Sequence, residues 1–147
     1  MIGPPDVMKA AINFQSHTTS NVSNVAQFAA LAAVSGDLSA VAEMRESFAR
    51  RGALMHSMLN QIAGVNCMAP QGAFYCFPDF SGLLNRSLSG VTSTTTLELA
   101  DVILDRAKVA FVPGEAFGLA RYARFSFALG DDDLREGINR LASFVNG

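Results

Sequence analysis

Apolar and polar positions alternate from Ala123 to Phe127. Ala123, Phe125, Phe127 and Leu129 share one face, and Arg124, Ser126 and Ala128 share the other, which predicts a strand with Arg124 pointing away from the aromatic face. Elsewhere the period is helical. Val7, Ala11 and Phe14 predict a short helix entered through Pro4-Pro5. Asn24 with Gln27 reads as a capping box for an alanine-rich helix running to about Val34. After Ser35-Gly36-Asp37, the stripe Val41, Met44, Phe48, Met55, Leu59 and Ile62 predicts a long amphipathic helix ending near Ala63, with Gly64 as its cap.

Val65–Met68 and Ala73–Phe77 are strand candidates around Ala69-Pro70-Gln71-Gly72, and Ser81–Ser93 reads as a surface excursion without chemistry. Thr95 with Glu98 forms a capping box for a helix through Leu97, Ala100, Leu104 and Ala107. A strand from Val109 follows, and Asp133 with Glu136 reads as the box of a last helix with the stripe Leu134, Ile138, Leu141 and Val145. The order of elements predicts an α/β chain of the α+β type, a small sheet packed by helices.

With 147 residues, half of them hydrophobic, the chain is long enough to bury a core. A formal net charge of -2 and scattered cationic residues argue against nucleic acid as a partner. The longest apolar run, Phe28–Val34, is far below the ~20 residues that span a bilayer, and no basic and then apolar leader pattern opens the chain, so the reading is cytoplasmic, with no membrane partner. Cys67 and Cys76 match neither a zinc pair nor a redox pair and read as free, partly buried thiols. His17 and His56 read as polar helix positions, and no metal site is expected. Three aspartates at 131–133 read as acidic groups at a helix start.

The candidate for chemistry is Arg124. It is either a solvated arginine on a half-exposed strand or the holder of an anion. Val112-Pro113-Gly114-Glu115-Ala116-Phe117-Gly118, with Tyr122-Ala123-Arg124-Phe125-Ser126-Phe127-Ala128, resembles the VPGxxFG and R-x-S-[FY]-A signature of class I/II pyridoxal-phosphate aminotransferases of the aspartate aminotransferase type. Gln15-Ser16-His17-Thr18-Thr19-Ser20-Asn21 with the alanine-rich segment, Pro70-Gln71-Gly72-Ala73-Phe74-Tyr75, and Gly3-Pro4-Pro5-Asp6-Val7 are similar to further family segments in the same order. The resemblance implies that Arg124 grips the substrate α-carboxylate. A planar guanidinium suits that role because it offers two parallel, charge-assisted hydrogen bonds.

The resemblance covers nearly the whole chain and implies the C-terminal portion of a fold type I enzyme. Residues 1–35 would be the end of the large domain, and residues 36–147 the small domain with its linking helix. The complete protein would take pyridoxal 5'-phosphate, amino-acid and 2-oxo-acid substrates, and a second copy as homodimer partner. This chemistry needs a lysine for the cofactor imine. Only Lys9 and Lys108 are present, neither in the family's Ser-x-Lys context. The chain is therefore expected to hold no cofactor-binding or catalytic residue, to bind no cofactor and to be inactive alone. Two other readings stand beside this one: a noncatalytic domain that binds a carboxylate or a protein, and a portion of a related decarboxylase or synthase.

Overall fold

Pro5 opens the first helix because its fixed φ suits a first helical position, where its missing N–H leaves no bond unmade. The computed structural model describes residues 2–147. They form two compact units, Met1–Ala42 and Glu43–Gly147. In the first unit lie α1 (Pro5–Thr18) and α2 (Asn24–Ser35). Neither helix contains a buried residue, and Phe14, Phe28 and Val34 are each 72% exposed. The apolar surface of α2 from Phe28 to Val34 is thus exposed in this chain. The Asn24 and Gln27 box is absent: Ser23 takes the N-cap position without a side-chain bond, and the Gln27 amide donates to the Val22 carbonyl at 2.8 Å. No single helix among the described residues is long and apolar enough to cross a membrane.

Helix α3 (Ser39–Leu59) starts where the Asp37 carboxylate accepts the Ser39 N–H and hydroxyl at 2.9 and 2.8 Å. Those two bonds hold the Asp37 carboxyl below the usual carboxylate range. The helix stops earlier than its apolar period suggests, and only the end of the stripe, Met55, Leu59 and the following Ile62, enters the core. Gly52 lets α3 approach Phe127, since a Cβ there would meet the ring at 3.1 Å. Gly64 adopts φ +92°, yet it serves a backbone crossing rather than a helix cap: a Cβ on it would lie 2.7 Å from the Gly82 carbonyl.

The second unit holds a three-stranded antiparallel sheet in the order β1 (Tyr75–Cys76), β5 (Ala123–Ser126), β4 (Val112–Pro113). It is covered by α4 (Thr96–Ala107) and α5 (Asp131–Asn146). Of the two strand candidates before Phe80, only Tyr75–Cys76 pairs as a strand, and Val65–Met68 contributes a single bridge from Asn66 to Asp79. The Asn60 side chain takes the place of a ladder there, accepting the Cys67 N–H at 2.9 Å and donating to its carbonyl at 3.0 Å. Ser81–Ser93 proves to be more than a surface excursion. It forms a hairpin of β2 (Ser87–Leu88) and β3 (Val91–Thr92), with Leu83 and Leu88 buried in the core.

Thr95 and Glu98 form the capping box read from sequence, and the Thr94 N–H and hydroxyl, bonded to Glu98, hold its carboxyl below the usual range. The core packing chooses the buried face of α4. Leu99 and Ile103 are 1% and 0% exposed, whereas Leu97 and Leu104 are 56% and 52% exposed. The stripe of α5 is as expected, with Phe144 added, but its box is not formed. Gly130 occupies the N-cap, Glu136 pairs with Arg140 at 2.8 Å, and Asp131 pairs with Arg51 and Arg50. Cys67 and Cys76 are free and fully buried. The Cys67 thiol beside it, with burial, pushes the Cys76 thiol up, so that it stays protonated at neutral pH.

Candidate functional site

Strand β5 lies between two neighbours, and its alternation divides the site from the core. Ala123, Phe125 and Phe127 are buried, while Arg124 is half-buried and Ser126 exposed on the opposite face. The registers decide what meets Arg124. Val112 lies directly opposite it on β4, and Tyr75 lies opposite Ser126 on β1, which makes Tyr75 a diagonal neighbour on the same face. The guanidinium carbon sits 4.4 Å from the centre of the Tyr75 ring.

Its other aromatic neighbour comes from the loop. After β4 the chain turns through a 3₁₀ helix, Gly114–Phe117, closed by Gly118 at φ +74°, where only glycine is unstrained. Gly114 is required for a different reason. A Cβ at this position would lie 2.1 Å from the Leu119 carbonyl and 2.8 Å from that of Tyr122. The turn places the Phe117 ring centre 4.5 Å from the Arg124 guanidinium carbon. Phe77 supports this ring edge-on at 6.0 Å and stacks on Tyr122 at 5.2 Å.

Two aromatic contacts hold a guanidinium by attraction to the ring faces, each worth about 0.5 to 2 kcal/mol depending on solvent access. They leave its N–H groups free for an anion. Among the described residues no carboxylate pairs with Arg124. A cavity of about 190 Å³ opens beside it, lined by Tyr75, Ala110, Phe111, Val112, Arg124 and Ser126. That volume suits a small molecule of a few heavy atoms. Tyr75 and Phe117 stand in the two glycine-containing motifs, and an aromatic residue beside each glycine turn is the sequence signal for this clamp.

The lysines do not join this site. Lys9 is exposed on α1, and Lys108 ends α4 in the left-handed conformation with its ammonium 3.8 Å from Asp105, its side chain 69% exposed. Neither lines the Arg124 cavity. An imine-forming lysine needs a sheltered environment that lowers its proton affinity, so the lysines of this chain do not fit a pyridoxal phosphate site. Among the described residues no three of His, Cys, Asp and Glu come close enough to hold a metal ion.

Helices packed on small antiparallel sheets are the architecture that this chain shares with fold type I aminotransferases. The crystal structure of the aspartate aminotransferase from Rhizobium meliloti superposes with a TM-score of 0.89 at 37% identity, covering 98% of this chain and 36% of that one. The family described as aminotransferase class I and II matches residues 1–141, and the chain belongs to that family. It is 58% identical over 146 residues to the aspartate aminotransferase of Streptomyces avermitilis, and 42% identical over 146 residues to the aspartate/prephenate aminotransferase of Cereibacter sphaeroides. In both comparisons 99% of this chain is covered, and the chain spans 36% of the relative's length.

Proposed function

We propose that this chain is the C-terminal portion of a pyridoxal-phosphate-dependent aminotransferase that exchanges the amino group between aspartate and 2-oxoglutarate, and that Arg124 binds the substrate α-carboxylate. Residues 1–35 are the end of the large domain and residues 36–147 the small domain. The complete protein acts as a cytoplasmic homodimer. The observation that carries the reading is the unpaired Arg124 guanidinium held between Tyr75 and Phe117 at the edge of a small cavity. The 58% identity to an aspartate aminotransferase supports aspartate as amino donor. The exposed apolar side chains of α1 and α2 support association, because faces of this kind are normally covered by protein.

Pyridoxal phosphate, when bound in the complete protein, supplies the electron sink of amino transfer. Within this chain the residues do the positioning. Arg124 takes the carboxylate in a two-pronged grip, and the rings of Tyr75 and Phe117 keep its plane from turning. A carboxylate clamp alone orients substrate without moving a proton, so the 147 residues do not transaminate by themselves. The test is to incubate the chain with pyridoxal phosphate, aspartate and 2-oxoglutarate and to follow glutamate. Formation no faster than with cofactor alone is expected. Turnover above that control, lost in Lys9→Ala or Lys108→Ala, would overturn the reading.

A further inference from the structure

The 3₁₀ turn that carries Phe117 is only four residues long and lies at the surface. Phe117 is 47% exposed, so core packing does not fix it. Backbone bonds close the turn on itself: the Gly118 N–H donates to the Glu115 carbonyl at 3.1 Å and the Leu119 N–H to that of Gly114 at 3.0 Å. Another ties its start to β5, from the Gly114 N–H to the Tyr122 carbonyl at 2.7 Å. None of these holds the turn against the helix behind it.

The Glu115 side chain supplies that tie. Its Oε1 accepts the Thr96 N–H at 3.2 Å, across a sequence separation of 19. Thr96 is the first residue of α4, where backbone N–H groups have no partner inside the helix. Thr95 Oγ1 already takes the Glu98 N–H at 3.2 Å, and Glu98 reaches back to Thr94 and Thr95, so the capping box leaves the Thr96 donor to Glu115. The carboxylate also lies at the positive end of a twelve-residue helix, which favours its charge there. One bond thus links the start of α4, the glycine turn and the ring beside Arg124.

We infer that Glu115 is a positioning residue: through the Thr96 N–H it holds the 3₁₀ turn so that Phe117 stays on the Arg124 guanidinium. Its consequence for ligand rests on the reading of Arg124 as a carboxylate holder, whereas the placement of the ring does not. Among the described residues no hydrogen bond or ion pair joins Glu115 to Arg124, so it acts on Arg124 through the turn.

The test uses the full 147-residue chain and arginine side-chain NMR, because aromatic rings facing a guanidinium displace its Hε and Hδ resonances. Glu115→Ala is expected to move the Arg124 signals toward those of a free arginine and to weaken binding of succinate, used as a dicarboxylate probe, by about two- to tenfold, the range of one lost hydrogen bond. Glu115→Gln should keep both properties, since an amide oxygen accepts the same bond. Thr96→Pro removes the donor instead. Proline suits a first helical position, and Thr95 at φ −125°, ψ 158° already has the conformation that precedes proline. It should reproduce the Glu115→Ala displacement, and the double variant should add nothing. If Thr96→Pro does not fold, Glu115→Ala decides alone, as removal of an exposed side chain opens no core cavity. Arg124 signals unmoved in Glu115→Ala, or moved equally in Glu115→Gln, would overturn the inference. Succinate binding equally well to Arg124→Lys, with the ring displacements as expected, would remove the carboxylate reading and leave the positioning role standing.

Discussion

Tyr75 lies 49 residues before Arg124 and one register step away on the neighbouring strand, with its ring centre 4.4 Å from the guanidinium carbon. The contact follows from two antiparallel pairs, Tyr75 with Ser126 and Cys76 with Phe125, which send Tyr75 and Arg124 to one face and Cys76 and Phe125 into the core. One strand alternation therefore builds both the aromatic core and the polar site. Among the described residues the neighbours of the Arg124 guanidinium are rings rather than carboxylates.

Gly114→Ala should damage the site from behind. The added Cβ would fall 2.1 Å from the Leu119 carbonyl, so the turn has to shift and carry Phe117 with it. We expect a stability loss of about 1 to 3 kcal/mol, typical of forced overpacking, read from urea unfolding midpoints. An unchanged midpoint would show that the turn adapts without cost.

The tie between α3 and α5 should weaken in acid. The bond from Arg51, aided by Arg50, holds the Asp131 carboxyl below the usual carboxylate range. A depressed folded value stabilises the fold at pH above the ordinary value of about 3.9, and this contribution is lost as pH falls through the lower folded value. Asp131→Asn should therefore unfold at lower urea than the parent at neutral pH, with the gap closing below about pH 4. A gap that persists unchanged at pH 2 would contradict the pairing.

Two leucines of α4 two residues apart should respond in opposite ways. Leu99→Ala opens the core and should cost about 2 to 5 kcal/mol, whereas Leu97→Ala on the exposed face should stay within about 0.5 kcal/mol. Equal losses would contradict the burial of Leu99 and the exposure of Leu97.

Those leucines also show where sequence was legible. A helix over Thr96–Ala107 was evident from the Thr95 and Glu98 box, because capping is a local matter of side chain and backbone. The face it buries was not, since Leu97, Leu99, Ile103 and Leu104 are all apolar and the packing partners choose among them. The arginine strand was legible for the opposite reason: in Ala123–Leu129 only one face is apolar enough to enter the core. Ser81–Ser93 was misread because its hairpin has just two residues per strand and its anchors, Leu83 and Leu88, follow no period. The expected box of Asp133 and Glu136 does not form: Gly130 takes the N-cap position and Glu136 pairs with Arg140 one turn on, while the bond from Arg51 to Asp131, 80 residues away, is one that no local pattern encodes. In the candidate site Arg124 was named from sequence, whereas the aromatic clamp depends on the register of β1 and on the path of the glycine turn.

The most direct measurement is a titration of the chain with succinate, followed through the Arg124 Hε resonance beside those of the other arginines. If Arg124 is the carboxylate holder, its signal moves first and saturates, and Arg124→Lys, which keeps the charge but loses the planar fork, weakens binding by about tenfold or more. An Arg124 resonance that stays still while succinate binds elsewhere, or an Arg124→Lys chain that binds as tightly as the parent, would contradict it.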